Sequence, residues 1–74
     1  MNHALDNRTP IDSSLLASMR YSPQATLDLE FRSGAVYRYF TVPRAIADGL
    51  RAADSKGAYF NRFIKDHFPY HRLG

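Results

Sequence analysis

The sequence predicts an α+β domain: a three-stranded antiparallel β-meander followed by two α-helices packed on one face of the sheet (β-β-β-α-α). Two patterns and one boundary predict it. Before Val42 the apolar residues recur every second position, and after Pro43 they recur at spacings of three and four. The pair Val42-Pro43 separates the two regimes, because proline interrupts a strand and suits a helix start.

The first strand is expected over Ser14 to Tyr21, where Leu15, Ala17, Met19 and Tyr21 alternate with Leu16, Ser18 and Arg20. Ser22-Pro23-Gln24-Ala25 reads as the turn after it. Thr26 to Arg32 alternates most regularly, with Leu27, Leu29 and Phe31 on one face and Asp28, Glu30 and Arg32 on the other. A hairpin leads into Ala35–Val42. A two-residue Ser33-Gly34 loop would drive Arg38 into the core and require a positive φ at Ser33. A three-residue Arg32-Ser33-Gly34 loop instead puts glycine at the left-handed position of a G1 bulge. In that register Leu29 faces Tyr37, Leu27 faces Tyr39 and Asp28 faces Arg38, so both tyrosines line the inner face.

The first helix should begin at Pro43 with Thr41 or Val42 as its cap, and bury Ile46, Leu50 and Ala53. Arg44, Asp48 and Arg51 are spaced for ion pairs on its open side. Gly49 weakens it by about 1 kcal/mol relative to alanine, with close packing against the second helix as the compensating use. Ser55 is placed to cap the second helix. That helix turns Tyr59, Phe60, Phe63 and Ile64 inward and Asn61, Arg62 and Lys65 outward, with His67 on the apolar side and Pro69 as its end. The expected organisation is a loose arm over residues 1–12, the domain over 13–70 and an extended tail over 71–74.

Composition narrows the function classes. A chain of 74 residues with no cysteine has no disulfide or thiol chemistry, and must fold on a small apolar core. No apolar run approaches a membrane span and no signal-peptide core is visible, so the expectation is a cytoplasmic protein without a membrane partner. The net charge of +3 is unevenly distributed. Up to residue 42 the charges cancel, whereas Arg44, Arg51, Lys56, Arg62, Lys65 and Arg72 face only Asp48, Asp54 and Asp66 beyond it. That excess points to an anionic partner, and a solvated helix surface explains it as well.

Several segments together resemble a known family. They are Leu27-Asp28-Leu29-Glu30-Phe31, Gly34, Tyr37-Arg38-Tyr39, Val42-Pro43, Leu50 and Ser55-Lys56-Gly57-Ala58-Tyr59-Phe60-Asn61. They are similar to the KTSC domain, named for its place at the C-terminus of some lysyl-tRNA synthetases and also found as a short bacterial protein. The likeness runs from about Ser13 to Tyr70. It implies the fold read above and, through the synthetase context, a tRNA-like or single-stranded RNA as partner. It implies no activity.

Each candidate site carries two readings. Tyr37 and Tyr39 are base-stacking platforms or packing residues, and the hairpin register favours packing. The family-motif residues Gly34, Val42, Pro43, Ser55, Gly57, Tyr59 and Phe60 read as structural. Ser55-Lys56-Gly57 at a helix start suits an anion, or is a capped end with room for close packing. Lys56, Arg62 and Lys65, with Asn61, Arg51 and Arg44, form a phosphate-contacting face for RNA or a solvated surface. His67 and His71 are divided by Pro69 and lack further ligands, so no metal or cofactor is expected. No nucleophile–base pair is evident, so no enzyme and no small-molecule substrate is expected. The resulting expectation is a small non-catalytic module that binds RNA weakly through a basic helical face. The alternative is a module that binds itself or another protein through the open sheet face or an edge strand.

Overall fold

In the computed structural model, which describes residues 9–11 and 13–74, an antiparallel sheet is combined with two helical segments. Its strands are β1 (Thr9–Pro10), β2 (Leu16–Tyr21), β3 (Leu27–Phe31), β4 (Val36–Tyr39) and β5 (Tyr70–Arg72), lying side by side in chain order. Helix α1 (Arg44–Ala52) and helix α2 (Lys56–Tyr59) lie between β4 and β5, and α2 continues as a π-helical turn, Phe60–Ile64.

The β3–β4 hairpin has the three-residue loop. Gly34 takes φ +98°, its N–H donates to the Phe31 carbonyl at 2.8 Å, and the Phe31 N–H donates to the Ala35 carbonyl at 2.8 Å. Leu27 then faces Tyr39, Asp28 faces Arg38 and Leu29 faces Tyr37. On the outer face Arg38 donates to both carboxylate oxygens of Asp28, at 2.8 and 2.9 Å, and Arg20 approaches at 3.7 Å. Asp28 is 6% exposed under the two arginines. Its hydrogen bonds also hold the Arg38 guanidinium more firmly protonated than usual.

The sheet is wider than the three strands expected. Tyr70–Arg72 pairs with β4, setting Tyr39 beside Tyr70 and Tyr37 beside Arg72. The tail was expected to be extended, and it is, but a three-residue strand carries too little pattern to announce its partner. At the other edge Thr9–Pro10 pairs with β2 and Ile11 is buried in the core, so these residues of the expected arm belong to the fold. The rest of that arm lies outside the described residues.

Strand β2 differs in phase. Its register shifts between Leu16 and Ser18, a bulge that lets Leu16 join Met19 in the core and leaves Leu15 only partly buried. Uniform alternation had put Leu15 inward and Leu16 outward. The bulge inserts one unpaired residue, after which the inward phase reverses.

Helix α1 starts one residue later than expected. Pro43 is extended at φ −60°, ψ 146°, and its carbonyl accepts from the Ile46 N–H at 3.0 Å, which makes Pro43 the cap. Thr41 instead takes φ 56° in the bend before it. Ala47 and Leu50 are the fully buried residues of α1, Ile46 packs at the margin of the core, and Ala53 lies just past the last turn. A β-carbon on Gly49 would collide with the Tyr59 hydroxyl, which donates to the Ile46 carbonyl at 3.0 Å. Gly49 is therefore where the two helical segments meet. Asp48 pairs with Arg51 at 3.0 Å and with Arg44 at 3.7 Å.

The Ser55 hydroxyl accepts from the Ala58 N–H at 3.2 Å, capping α2. After Tyr59 the helix widens, and the Lys65 N–H closes on the Phe60 carbonyl at 2.8 Å. A turn closed between residues five apart rotates less per residue than an α-turn, so Phe63 falls short of the inner face. Phe60 and Ile64 are buried, whereas Phe63 is exposed and His67 lies on the surface rather than on the apolar side. The π turn thus ends the cover that the helices give the sheet.

Candidate functional site

Beyond the π turn, strands β4 and β5 keep part of their inner face open. There Tyr37, Tyr39 and Tyr70 line a groove of about 610 Å³, with Phe31 and Phe60 at its base and Asn61, Lys65, Asp66 and Arg72 around it. Residues two apart on a strand share a face, and partners directly opposite do too, so Tyr37, Tyr39, Tyr70 and Arg72 are brought together by the β4–β5 ladder. Asn61 and Lys65 come from the π turn, and Asp66 follows at φ 64°.

The rings form a continuous aromatic surface. Tyr37 and Tyr39 lie stacked at 6.4 Å, and Tyr70 tilts against both at 5.5 and 5.7 Å. Phe31 meets Tyr37 edge-on at 5.7 Å and Phe60 meets Tyr39 edge-on at 6.0 Å, which fixes the orientation of the floor. The Arg72 guanidinium lies over the Tyr37 ring at 5.8 Å while donating to the Gly74 carbonyl at 3.0 Å. Exposure rises from Tyr39 at 5%, through the half-buried Tyr37, to Tyr70 at 57%.

The hydroxyls separate two kinds of tyrosine. Tyr21 donates to the Val42 carbonyl at 2.7 Å and Tyr59 to the Ile46 carbonyl at 3.0 Å, so both tie elements together. Among the described residues, the hydroxyls of Tyr37, Tyr39 and Tyr70 make no hydrogen bond with the protein, and no side-chain polar atom is sealed without a partner. Their polar ends therefore face the groove. Burial, followed by the nearby Tyr37, Tyr70 and Asp66, pushes the Tyr39 phenol up to about 12.

The basic residues singled out from the sequence do not gather on one face. Lys65 and Asn61 share the aromatic groove. Arg44 and Arg51 line a smaller cleft with Tyr21, Ser22 and Pro23, each paired with Asp48. Arg62 lies over the exposed Phe63 ring at 5.3 Å. Lys56 turns back to donate to the Ala53 carbonyl at 2.5 Å, so its ammonium caps the end of α1. A β-carbon added at Gly57 would only reach ordinary contact distance, 3.5 Å, from Leu15. The start of α2 is thus occupied by its own chain. Tyr70 and Arg72 were not singled out; the signal available was their two-residue spacing after Pro69, which places both on one face of any strand they form.

Known proteins are similar to this chain. The model of the KTSC domain family matches residues 12–68. A lysine–tRNA ligase of Nostoc sp. is 46% identical over 63 residues, 84% of this chain and 11% of the ligase. The chain thus spans about a tenth of the length of that relative. An uncharacterized protein of Stutzerimonas stutzeri is 44% identical over 68 residues, covering 89% of this chain and 96% of that protein. The crystal structure of a KTSC domain protein from Yersinia pestis superposes with a TM-score of 0.89 at 33% identity, covering 92% of this chain and 97% of that one. Among the described residues no helix is long and apolar enough to cross a membrane.

Proposed function

The chain belongs to the KTSC domain family, and on that premise we propose that it is a small non-catalytic module that binds RNA weakly. The observation that carries this reading is the groove, where three tyrosines, Tyr70 the exposed one, and the cations Lys65 and Arg72 converge. Aromatic faces bind bases irrespective of sequence, and cations contact the phosphates that every RNA presents. Two cations against the single carboxylate of Asp66 leave the site net positive. The lysine–tRNA ligases with a matching segment supply the context. The basic face first expected on the helices is the weaker route, because its residues do not gather: Lys65 lines the groove, Arg44 and Arg51 line a separate cleft paired with Asp48, and Lys56 bonds the Ala53 carbonyl.

Titration of a fluorescent RNA oligonucleotide by anisotropy tests the reading. With Lys65, Arg72 and the neighbouring Arg62 each meeting a phosphate, the slope of log affinity against log salt should be about −2 for a single strand. Binding that ignores salt, or no binding at low salt, would reject it. A second reading, self-association or capture of another protein, draws on β5, which has all three residues exposed at the sheet edge. Light scattering with and without RNA separates the two, since a dimer indifferent to RNA favours the edge.

A further inference from the structure

We propose that the groove seats an unpaired base of a single RNA strand, with Tyr70 as the stacking platform and Lys65 and Arg72 contacting the flanking phosphates. This rests on the reading of the chain as an RNA-binding module. It goes further by naming the strand state recognised and the residues that recognise it.

Three observations carry it. The first is availability: Tyr70 is 57% exposed and Tyr37 half-buried, and neither hydroxyl is tied to the protein among the described residues. Packing alone does not require a tyrosine whose ring and hydroxyl both stay open, whereas Tyr21 and Tyr59 show how this fold uses a structural tyrosine. The second is shape. The groove, about 610 Å³, falls within the size range of small-ligand pockets and so takes one or two nucleotides, not a helix. In a duplex the base faces are already stacked on one another, so only an unpaired base can offer its face to Tyr70. The third is charge complementarity. Lys65, just past the π turn, and Arg72, on β5, both line the groove, so a strand crossing the tyrosines meets a cation from each of two elements. Asp66 adds an acceptor for an edge N–H of a seated base, such as the N3–H of uracil.

The test measures the full chain against oligo-U and against a blunt RNA duplex of equal length, by anisotropy at low salt. Oligo-U should bind at least about ten-fold tighter, and Tyr70→Ala should weaken it by about five- to a hundred-fold, the range for one stacked base. Tyr70→Phe should restore wild-type affinity, because stacking needs the ring and not the hydroxyl. Lys65→Glu, at an exposed position, should weaken binding and flatten the salt dependence while leaving the melting temperature unchanged. Equal affinity for duplex and single strand overturns the proposal. So does a folded Tyr70→Ala that binds oligo-U like wild type. If RNA binds and only Arg62→Ala reduces it, the groove assignment fails and the RNA reading stands. If no RNA binds, both fail.

Discussion

The two halves of the sheet both turn apolar or aromatic side chains inward and are covered differently. Where β2 and β3 lie under the helices, Leu16, Met19, Leu27 and Leu29 have no exposed surface, and Tyr21 is tied by its hydroxyl. At β4 and β5 the rings of Tyr37 and Tyr70 stay open, with no hydroxyl bond to the protein among the described residues. The difference arises at the π turn, which draws Phe60 and Ile64 inward and then leaves the sheet. One half is sealed under the helices and the other leaves aromatic surface open. A domain of this size has few kcal/mol to spare, so an aromatic cluster left partly uncovered is costly unless something else uses it.

Substitutions at the boundary should break this contrast most visibly. Phe60 packs edge-on against Phe31 and Tyr39, so Phe60→Ala should cost about 3–5 kcal/mol. Tyr70→Ala, at a residue lining the same groove but mostly exposed, should change stability by less than about 1 kcal/mol. Urea denaturation of the two variants measures both, and similar losses would show that the open half is core after all.

Alkaline pH probes the floor of the groove. Burial favours the neutral phenol of Tyr39 in the folded state, raising its ionisation from 10.0 to about 12. Between those values the unfolded chain loses this proton first, so stability should fall as pH rises from 10 to about 12, then level off for this group. Below pH 10 the phenol is neutral in both states and its contribution is intact. Tyr39→Phe should remove that part of the slope, as read from melting temperatures across the range.

The smallest expected effect is the most discriminating. Tyr21→Phe loses the bond to the Val42 carbonyl and should cost about 1 kcal/mol. Tyr70→Phe has no such bond to lose and should be neutral by thermal melting. Equal costs would erase the distinction between tied and open tyrosines.

What could be read directly from the residues was local. Gly34 demanded a left-handed backbone, alternation gave β3 its faces, and the opposite charges of Asp28 and Arg38 selected one register. Ser55 announced a helix cap because its partner, Ala58, is only three residues away. The bulge in β2, the attachment of β5 to β4 and the π turn were not legible, since each depends on packing between segments distant in the chain. The candidate site divides in the same way. Tyr37 and Tyr39 were assigned to the inner face by sequence pattern, but whether that face is covered depends on where the helix leaves it. Lys56 looked free for an anion, but its ammonium turns back to the Ala53 carbonyl three residues away, a local bond that the side-chain pattern did not announce. Sequence determined the faces of β3 and β4, where the backbone period is unbroken and side-chain direction follows from it. Tertiary structure decided which part of the inner face stays open, because that depends on where β5 pairs and where α2 ends.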